Sequence, residues 1–316
     1  MAKLMNEPSK PSLKLCDPHF HLFRPNPNLG QVKTYVADDY ASDIRQLPTD
    51  LKRVSGLHVE TVVGQMPGGP VIDSVDETRW VCSQLSGLKD PFGIVAFVHL
   101  ARPTKIVEHE IEEHLEIASD KLRGVRMILN YHPTDPALTW SQVEHDRFTL
   151  DPQFHDSLRT LRKRNLSFDL SCHPHQVEGA IRALRNEPDL RVVVNHLGFL
   201  RNGEDKAHEE LWRQSLHSLA ELPNIFMKLS MLWFARHNYT LDTEEMNFVR
   251  NRVNETLEIF GHERCMFASN YPVDRARGID IPTLYGLFLE WSNDLSHNER
   301  RALFHDTALN AYGGPL

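Results

Sequence analysis

The sequence predicts an α/β protein folded as a (β/α)8 barrel of the TIM type. Three observations lead there. Short apolar runs alternate eight times with amphipathic helical stretches, the repeat a closed parallel barrel needs. The runs are mostly apolar rather than regularly alternating, as strands buried on both faces are. The long, Pro/Gly-rich connections, residues 20–38, 61–73 and 131–150, all follow a strand, the side on which barrel enzymes build their sites. A doubly wound open sheet is the competitor, but no GxGxxG follows the first run.

The runs are Lys14–Cys16, Arg53–Val59, Phe92–Val98, Gly124–Leu129, Ser167–Cys172, Arg191–Asn195, Ile225–Leu229 and Arg264–Ala268. Between them, Ser74 and Glu77 have capping-box spacing ahead of Trp80, Val81 and Leu85. Ile106, Val107, Ile111, Leu115 and Ile117 stripe a helix over Thr104–Lys121. Asp151-Pro152 opens another with Phe154, Leu158 and Leu161 on one face. Val177, Ala180, Ile181 and Leu184 recur at helical spacing, and Asp242 with Glu245 caps a helix through Phe260. Pro282–Asn293 and Asn298–Tyr312 supply two more. No composition break marks a second domain, so residues 13–316 read as one barrel behind a loose, polar tail over residues 1–12.

The chain has 316 residues, 41% hydrophobic and 25% charged, an ordinary soluble composition. Its net charge of -8 and pI near 6.1 argue against nucleic acid or an anionic membrane as partner. No apolar run approaches a membrane span and no signal-peptide core precedes the first strand. Four separated cysteines fit buried thiols in a reducing compartment, so the cytoplasm is the expected location. A small-molecule substrate is the expected partner. A homo-oligomer is compatible with all of this.

Chemistry collects where the strands end. His19 and His21 sit one residue apart, and residues i and i+2 of a strand point the same way, so two imidazoles share one side. The second strand ends in His58 and Glu60, and the third in His99. The fourth carries Arg126, then Asn130, Tyr131 and His132. The fifth ends in His173 and His175, the sixth in His196 before Leu197-Gly198, and the seventh in Lys228 and Ser230. The eighth ends in Ser269 and Asn270, with Asp274 just beyond. Unpaired polar groups in a barrel mouth cost about 1–3 kcal/mol each, so this many on one face is hard to explain as packing. Arg126 suits bidentate binding of a carboxylate; with Asn130, His132, His175 and Lys228 it forms the expected substrate-binding set. The alternative for Lys228 is a salt bridge inside the barrel. Cys172 reads as an inert buried thiol.

These motifs resemble the amidohydrolase superfamily, specifically its lactonase-like branch, which includes 2-pyrone-4,6-dicarboxylate, L-fucono- and L-rhamnonolactonases. The matching stretches are Asp17-Pro18-His19-Phe20-His21, Asn195-His196-Leu197-Gly198, Lys228-Leu229-Ser230 and Met266 to Asp274, in family order over nearly the whole chain. The resemblance implies hydrolysis of a cyclic ester, which wants an activated water, a polarised carbonyl and a proton for the departing oxygen. A zinc ion can supply the first two, with three protein ligands and one open position. His19, His21 and His196 are then the implied ligands, with Glu60 or His173 completing the set. A metal-free site, with the histidines donating to the carbonyl, is the other option.

One position departs from the family: its usual strand-eight aspartate is Asn270 here. An amide is no general base, so Glu60 or Asp274 must activate the water, and the firmer platform of a strand end favours Glu60. His173 completes the catalytic set expected from the sequence. Two other readings stand beside the lactonase: a metal-dependent decarboxylase on the same barrel, and a barrel that lost its chemistry at Asn270 and only binds a ligand.

Overall fold

A computed structural model describes residues 12–24, 34–61, 73–140, 142–203 and 205–316. Eight parallel strands follow in chain order around one sheet: β1 (Leu13–Phe20), β2 (Leu51–Val59), β3 (Phe92–Phe97), β4 (Leu122–Ile128), β5 (Ser167–Ser171), β6 (Val192–Val194), β7 (Ile225–Leu229) and β8 (Cys265–Phe267). Helices return each strand to the next: α1 (Ala37–Ile44), α2 (Ser74–Leu85), α3 (Thr104–Ala118), α4 (Pro152–Lys163), α5 (Val177–Leu184), α6 (Lys206–Ala220) and α7 (Thr243–Phe260). After β8 come α8 (Ile281–Trp291), α9 (His297–Arg301), a π-turn at Ala302–Asp306 and α10 (Thr307–Ala311). This is the (β/α)8 barrel, with every expected run placed in a strand. The expected tail falls largely on residues 1–11, outside the described residues, as do parts of the first two long connections. Among the described residues no helix is long and apolar enough to cross a membrane.

Local chemistry explains where boundaries moved. The strand β1 runs on past Cys16 because Asp17 and Phe20 still pair with Gly56 and His58 across two register slips. The cap of α2 is Asp73, whose carboxylate accepts from the Asp76 amide at 2.9 Å. Ser74 therefore lies inside the helix, its hydroxyl on Glu110 at 2.7 Å, and Glu77 turns inward to the Thr61 amide at 2.8 Å. Asp151 and Asp242 cap α4 and α7 as their sequences suggest.

The seam between β1 and β8 holds the barrel shut with few backbone bonds. The His21 amide donates to the Tyr271 carbonyl and the Asn270 amide to the His19 carbonyl, each at 2.7 Å. The Asp17 carboxylate supplies the rest, accepting from the Ser269 amide (3.0 Å), the Ser269 hydroxyl (2.6 Å) and the Tyr40 hydroxyl (2.8 Å). The larger apolar core packs the helices against the sheet. A second, smaller core includes Cys16, Leu57, Val95, Val193, Phe226 and Met266 from six strands, closed by Ala308, Ala311 and Tyr312. Each large side chain so buried contributes about 1.5–3 kcal/mol.

Candidate active site

The strand ends of β6, β7 and β8 all turn through the left-handed region. His196, Leu197 and Phe199 have φ of 55°, 51° and 57°, Met231 has 51° and Asn270 has 54°. Such angles cost a non-glycine residue about 1–2 kcal/mol each, so their surroundings must hold them. After β6 the Trp212 indole N–H does this, donating to the Leu197 carbonyl at 2.7 Å. The effect is to aim His196 and Asn270 inward instead of along the strand.

Three imidazoles meet there. The Nε2 atoms of His19 and His21 lie 3.1 Å apart, and the His19 and His196 rings are centred 4.6 Å from one another. His21 Nδ1 donates to the Val59 carbonyl at 2.7 Å, which leaves its Nε2 as the lone-pair nitrogen. His196 Nδ1 is 3.0 Å from the Ser230 hydroxyl. Burial holds all three well below the usual histidine range, helped by Lys228 at His19 and by Arg126 at the other two. All three are neutral at pH 7.

Beneath them a buried polar layer crosses the barrel. Lys228 is fully enclosed; its ammonium donates to Asp169 Oδ2 at 2.6 Å and to His19 Nδ1 at 3.2 Å. Asp169 also accepts from the Asn195 amide (3.0 Å) and the Tyr312 hydroxyl (2.7 Å). Asn195 faces Arg126 on its other side at 3.5 Å, and Arg126 binds Glu60 through its carboxylate (2.6 Å) and its carbonyl (2.8 Å). Two of the residues expected to meet substrate are thus otherwise engaged. Lys228 reaches the mouth only through His19, the salt bridge its sequence left open, and all three nitrogens of Arg126 have partners within the protein. Glu60 is paired to that guanidinium.

The opposite holds at Asp274. Its Oδ2 accepts from Asn270 Nδ2 at 2.7 Å and from the Trp233 indole at 3.2 Å, while its buried Oδ1 has no partner. Burial lifts this carboxyl from 3.8 to about 7, against the two hydrogen bonds. Asn270 thus does not replace the family's carboxylate so much as hold one four residues further on. Glu77 is also pushed to about 7, by burial first and then by Glu60.

The β4 and β5 loops bring His132, His173 and His175 together, with ring centres 5.5–6.1 Å apart. His173 Nε2 donates to the Leu138 carbonyl at 2.7 Å, and burial lowers its pKa to about 4. That bond occupies its Nε2 hydrogen. His175 Nε2 is on the Tyr131 carbonyl at 3.0 Å and His132 Nδ1 accepts from the Asp135 amide at 3.0 Å. Asn130 is buried, its Oδ1 on the Ser171 hydroxyl at 2.7 Å and its Nδ2 without a partner. Burial drives the Cys172 thiol up to about 12, so it is inert as expected.

Asp169, Trp233 and Tyr312 escape the reading of strand ends, and Asp17 and Asn195 enter it only as members of matching motifs. Only Asp169 left a signal, as a charge in the middle of an apolar strand.

A family profile described as Amidohydrolase matches residues 16–314, nearly the whole chain. The chain belongs to the amidohydrolase family. This amidohydrolase is 30% identical over 321 residues to the uncharacterized protein y4mH of Sinorhizobium fredii, spanning 95% of this chain and 98% of that one. It is 24% identical over 274 residues to an L-fucono-1,5-lactonase of Burkholderia ambifaria, spanning 84% and 82%. A crystal structure of an amidohydrolase from Burkholderia multivorans with bound zinc superposes with a TM-score of 0.76 at 21% identity, covering 95% of this chain and 99% of that one. At that identity the likeness shows the fold.

The donor set in this amidohydrolase does not fit a catalytic zinc. Two nitrogens bound at about 2.0–2.1 Å in a tetrahedral site lie about 3.3 Å apart, close to the His19–His21 spacing. The fit ends with that pair. Among the described residues no three His, Cys, Asp or Glu side chains converge as a metal requires, and the strand-eight position offers the amide of Asn270. His19 is the sharper obstacle. A metal on its Nε2 would need a hydrogen on Nδ1, where liganding histidines meet a carboxylate or carbonyl and this one meets the Lys228 ammonium. The ligand set implied for His19, His21 and His196 is corrected accordingly: the three rings meet, but not as a cage.

Proposed function

We propose that this protein hydrolyses a small lactone with Asp274 as general base. The observation that carries the proposal is the buried Asp274 carboxyl, with one unpartnered oxygen and a pKa near 7, the poise a base needs at neutral pH. The lactonase name of a relative along 84% of the chain supports the substrate class.

Water gives its proton to Asp274 Oδ1 as its oxygen bonds the lactone carbon. The carbonyl oxygen takes hydrogen bonds from His196 and from His19 Nε2–H, which turns from His21 Nε2 to the substrate, as negative charge develops there. The ring C–O bond then breaks, and Asp274 returns the proton to the departing oxygen, leaving a hydroxy acid and a regenerated site. Asn270 and Trp233 hold Asp274 by its other oxygen. The unpartnered Asn130 Nδ2 is a donor for a further substrate oxygen. Arg126 and Lys228 act from below as positioning residues, so a substrate carboxylate is not what they recognise.

Each turnover releases one acid, so a pH-stat screen of sugar lactones, muconolactones and pyrone acids tests the reading. Proton release with uptake of water is the expected result. Carbon dioxide release would transfer the site to the decarboxylase reading, and no turnover of any lactone class would overturn the proposal.

A further inference from the structure

The lower end of the barrel is stoppered by Tyr312. It follows α10, whose Ala311 carbonyl accepts from the Ser167 hydroxyl at 2.6 Å and from Arg191 Nε at 3.2 Å, at the N-terminal ends of β5 and β6. The tyrosine ring rises into the inner core, and its hydroxyl meets Asp169 Oδ1 at 2.7 Å. The Lys228 ammonium stands 5.2 Å over that ring. A hydroxyl at the floor is thereby three contacts from an imidazole at the mouth.

We propose that Tyr312 is a positioning residue that, through Asp169 and Lys228, fixes His19 in the tautomer with its hydrogen on Nε2. The polarity of each contact follows from the donor inventory. An ammonium has hydrogens and no lone pair, so Lys228 Nζ at 3.2 Å requires His19 Nδ1 to be the acceptor. A neutral ring then carries its hydrogen on Nε2. That hydrogen points at His21 Nε2, already the lone-pair nitrogen because His21 Nδ1 donates to Val59. The chain has one self-consistent direction from Lys228 to Val59.

Lys228 holds its place by Asp169, and the carboxylate by its three donors: the ammonium, the Asn195 amide and the Tyr312 hydroxyl. The hydroxyl is bonded to Oδ1 and the other two to Oδ2. Tyr312 is the donor that holds Oδ1, and so keeps Oδ2 the oxygen offered to Lys228. Without that anchor Oδ1 can swing toward the ammonium, and Lys228 is no longer held against His19. The kinetic consequence rests on the lactone-hydrolase reading; the tautomer does not.

The test compares Tyr312→Phe with Ser167→Ala. The second loosens the same C-terminal segment without touching Asp169. Histidine 15N NMR reads the two ring nitrogens of His19, assigned by the resonance missing from His19→Gln. In the wild type, Nε2 is expected in the protonated range and Nδ1 in the lone-pair range. Tyr312→Phe is expected to mix the two tautomers and to lower kcat about tenfold with KM within about twofold, the scale of one hydrogen bond to a charged group. Ser167→Ala is expected to leave both unchanged. Asp169→Asn should mix the tautomers by an independent route. A His19 spectrum unaltered by Tyr312→Phe, or altered equally by Ser167→Ala, overturns the proposal. The expected spectra in a protein that opens no lactone would uphold the positioning role and reject the lactone reading alone.

Discussion

Asp274→Asn separates stability from activity in opposite directions. The folded-state pKa of about 7 lies above the unfolded value of 3.8, so the folded protein binds this proton more tightly than the unfolded chain. Wild-type stability is therefore undiminished by Asp274 below pH 3.8 and falls as pH rises through the window to 7. The full displacement corresponds to about 4 kcal/mol. Asparagine cannot ionise, so it escapes that loss. It keeps an acceptor for Asn270 and Trp233 but sets an NH2 group where Oδ1 has no partner, a cost of about 1–3 kcal/mol. The variant should then be less stable than wild type by about 1–3 kcal/mol at pH 4 and more stable by about 1–3 kcal/mol at pH 8. Urea unfolding at pH 4, 6 and 8 should show the two stability curves crossing. In the pH-stat assay kcat should drop on the order of 10²–10⁴, while wild-type kcat should climb through pH 7 as the carboxylate forms. A stability difference that does not vary with pH would refute the burial argument, and a near-wild-type kcat would refute the role as base.

Other changes probe the frame around it. Glu60→Gln leaves Arg126 buried without its counter-ion and should destabilise by about 3–5 kcal/mol; a variant as stable as wild type in urea would mean that the pair contributes nothing. Gly198→Ala places a Cβ 3.0 Å from Leu216 and 3.3 Å from the Trp212 indole nitrogen at a φ of 64°, and should cost about 1–3 kcal/mol with loss of kcat through the displaced His196. Thermal unfolding and turnover of the purified variant check both halves. Thorough chelation should leave kcat and Tm unchanged, because a metal on His19 would set a hydrogen against the Lys228 ammonium; zinc-dependent recovery of a chelated, inactive sample would contradict that.

The barrel was legible because the buried strands are short, mostly apolar runs and helices such as α4 and α7 carry their own stripe and cap. The two-residue spacing of His19 and His21 likewise foretold their shared direction, and the glycine after His196 marked the turn that aims it. What could not be read were choices of partner. Glu60 and Asp274 look alike in sequence, yet one meets Arg126 from a strand two positions away and the other meets only an amide and an indole. Arg126 and Lys228 sit on inward-facing strand positions that serve a mouth or a floor equally well, and only the depth of the residue decides which. Tyr312, at the end of the last short helix, gave no sign that it enters the barrel.

The Asp17–Ser269 contact joins residues 252 apart in sequence, so closing the ring of strands is a long-range event. Contacts of that separation form only after a large loop has been closed, and its entropic cost is met before any reward. The same contact sets the backbone of His19 beside that of Asn270. A chain with seven strands paired and this seam open would have most of its secondary structure and no site at all. The Ser269 amide, held by Asp17 inside the seam, should therefore exchange its hydrogen with solvent only when the ring opens. Its protection reports whether a molecule is competent, with no need for a substrate.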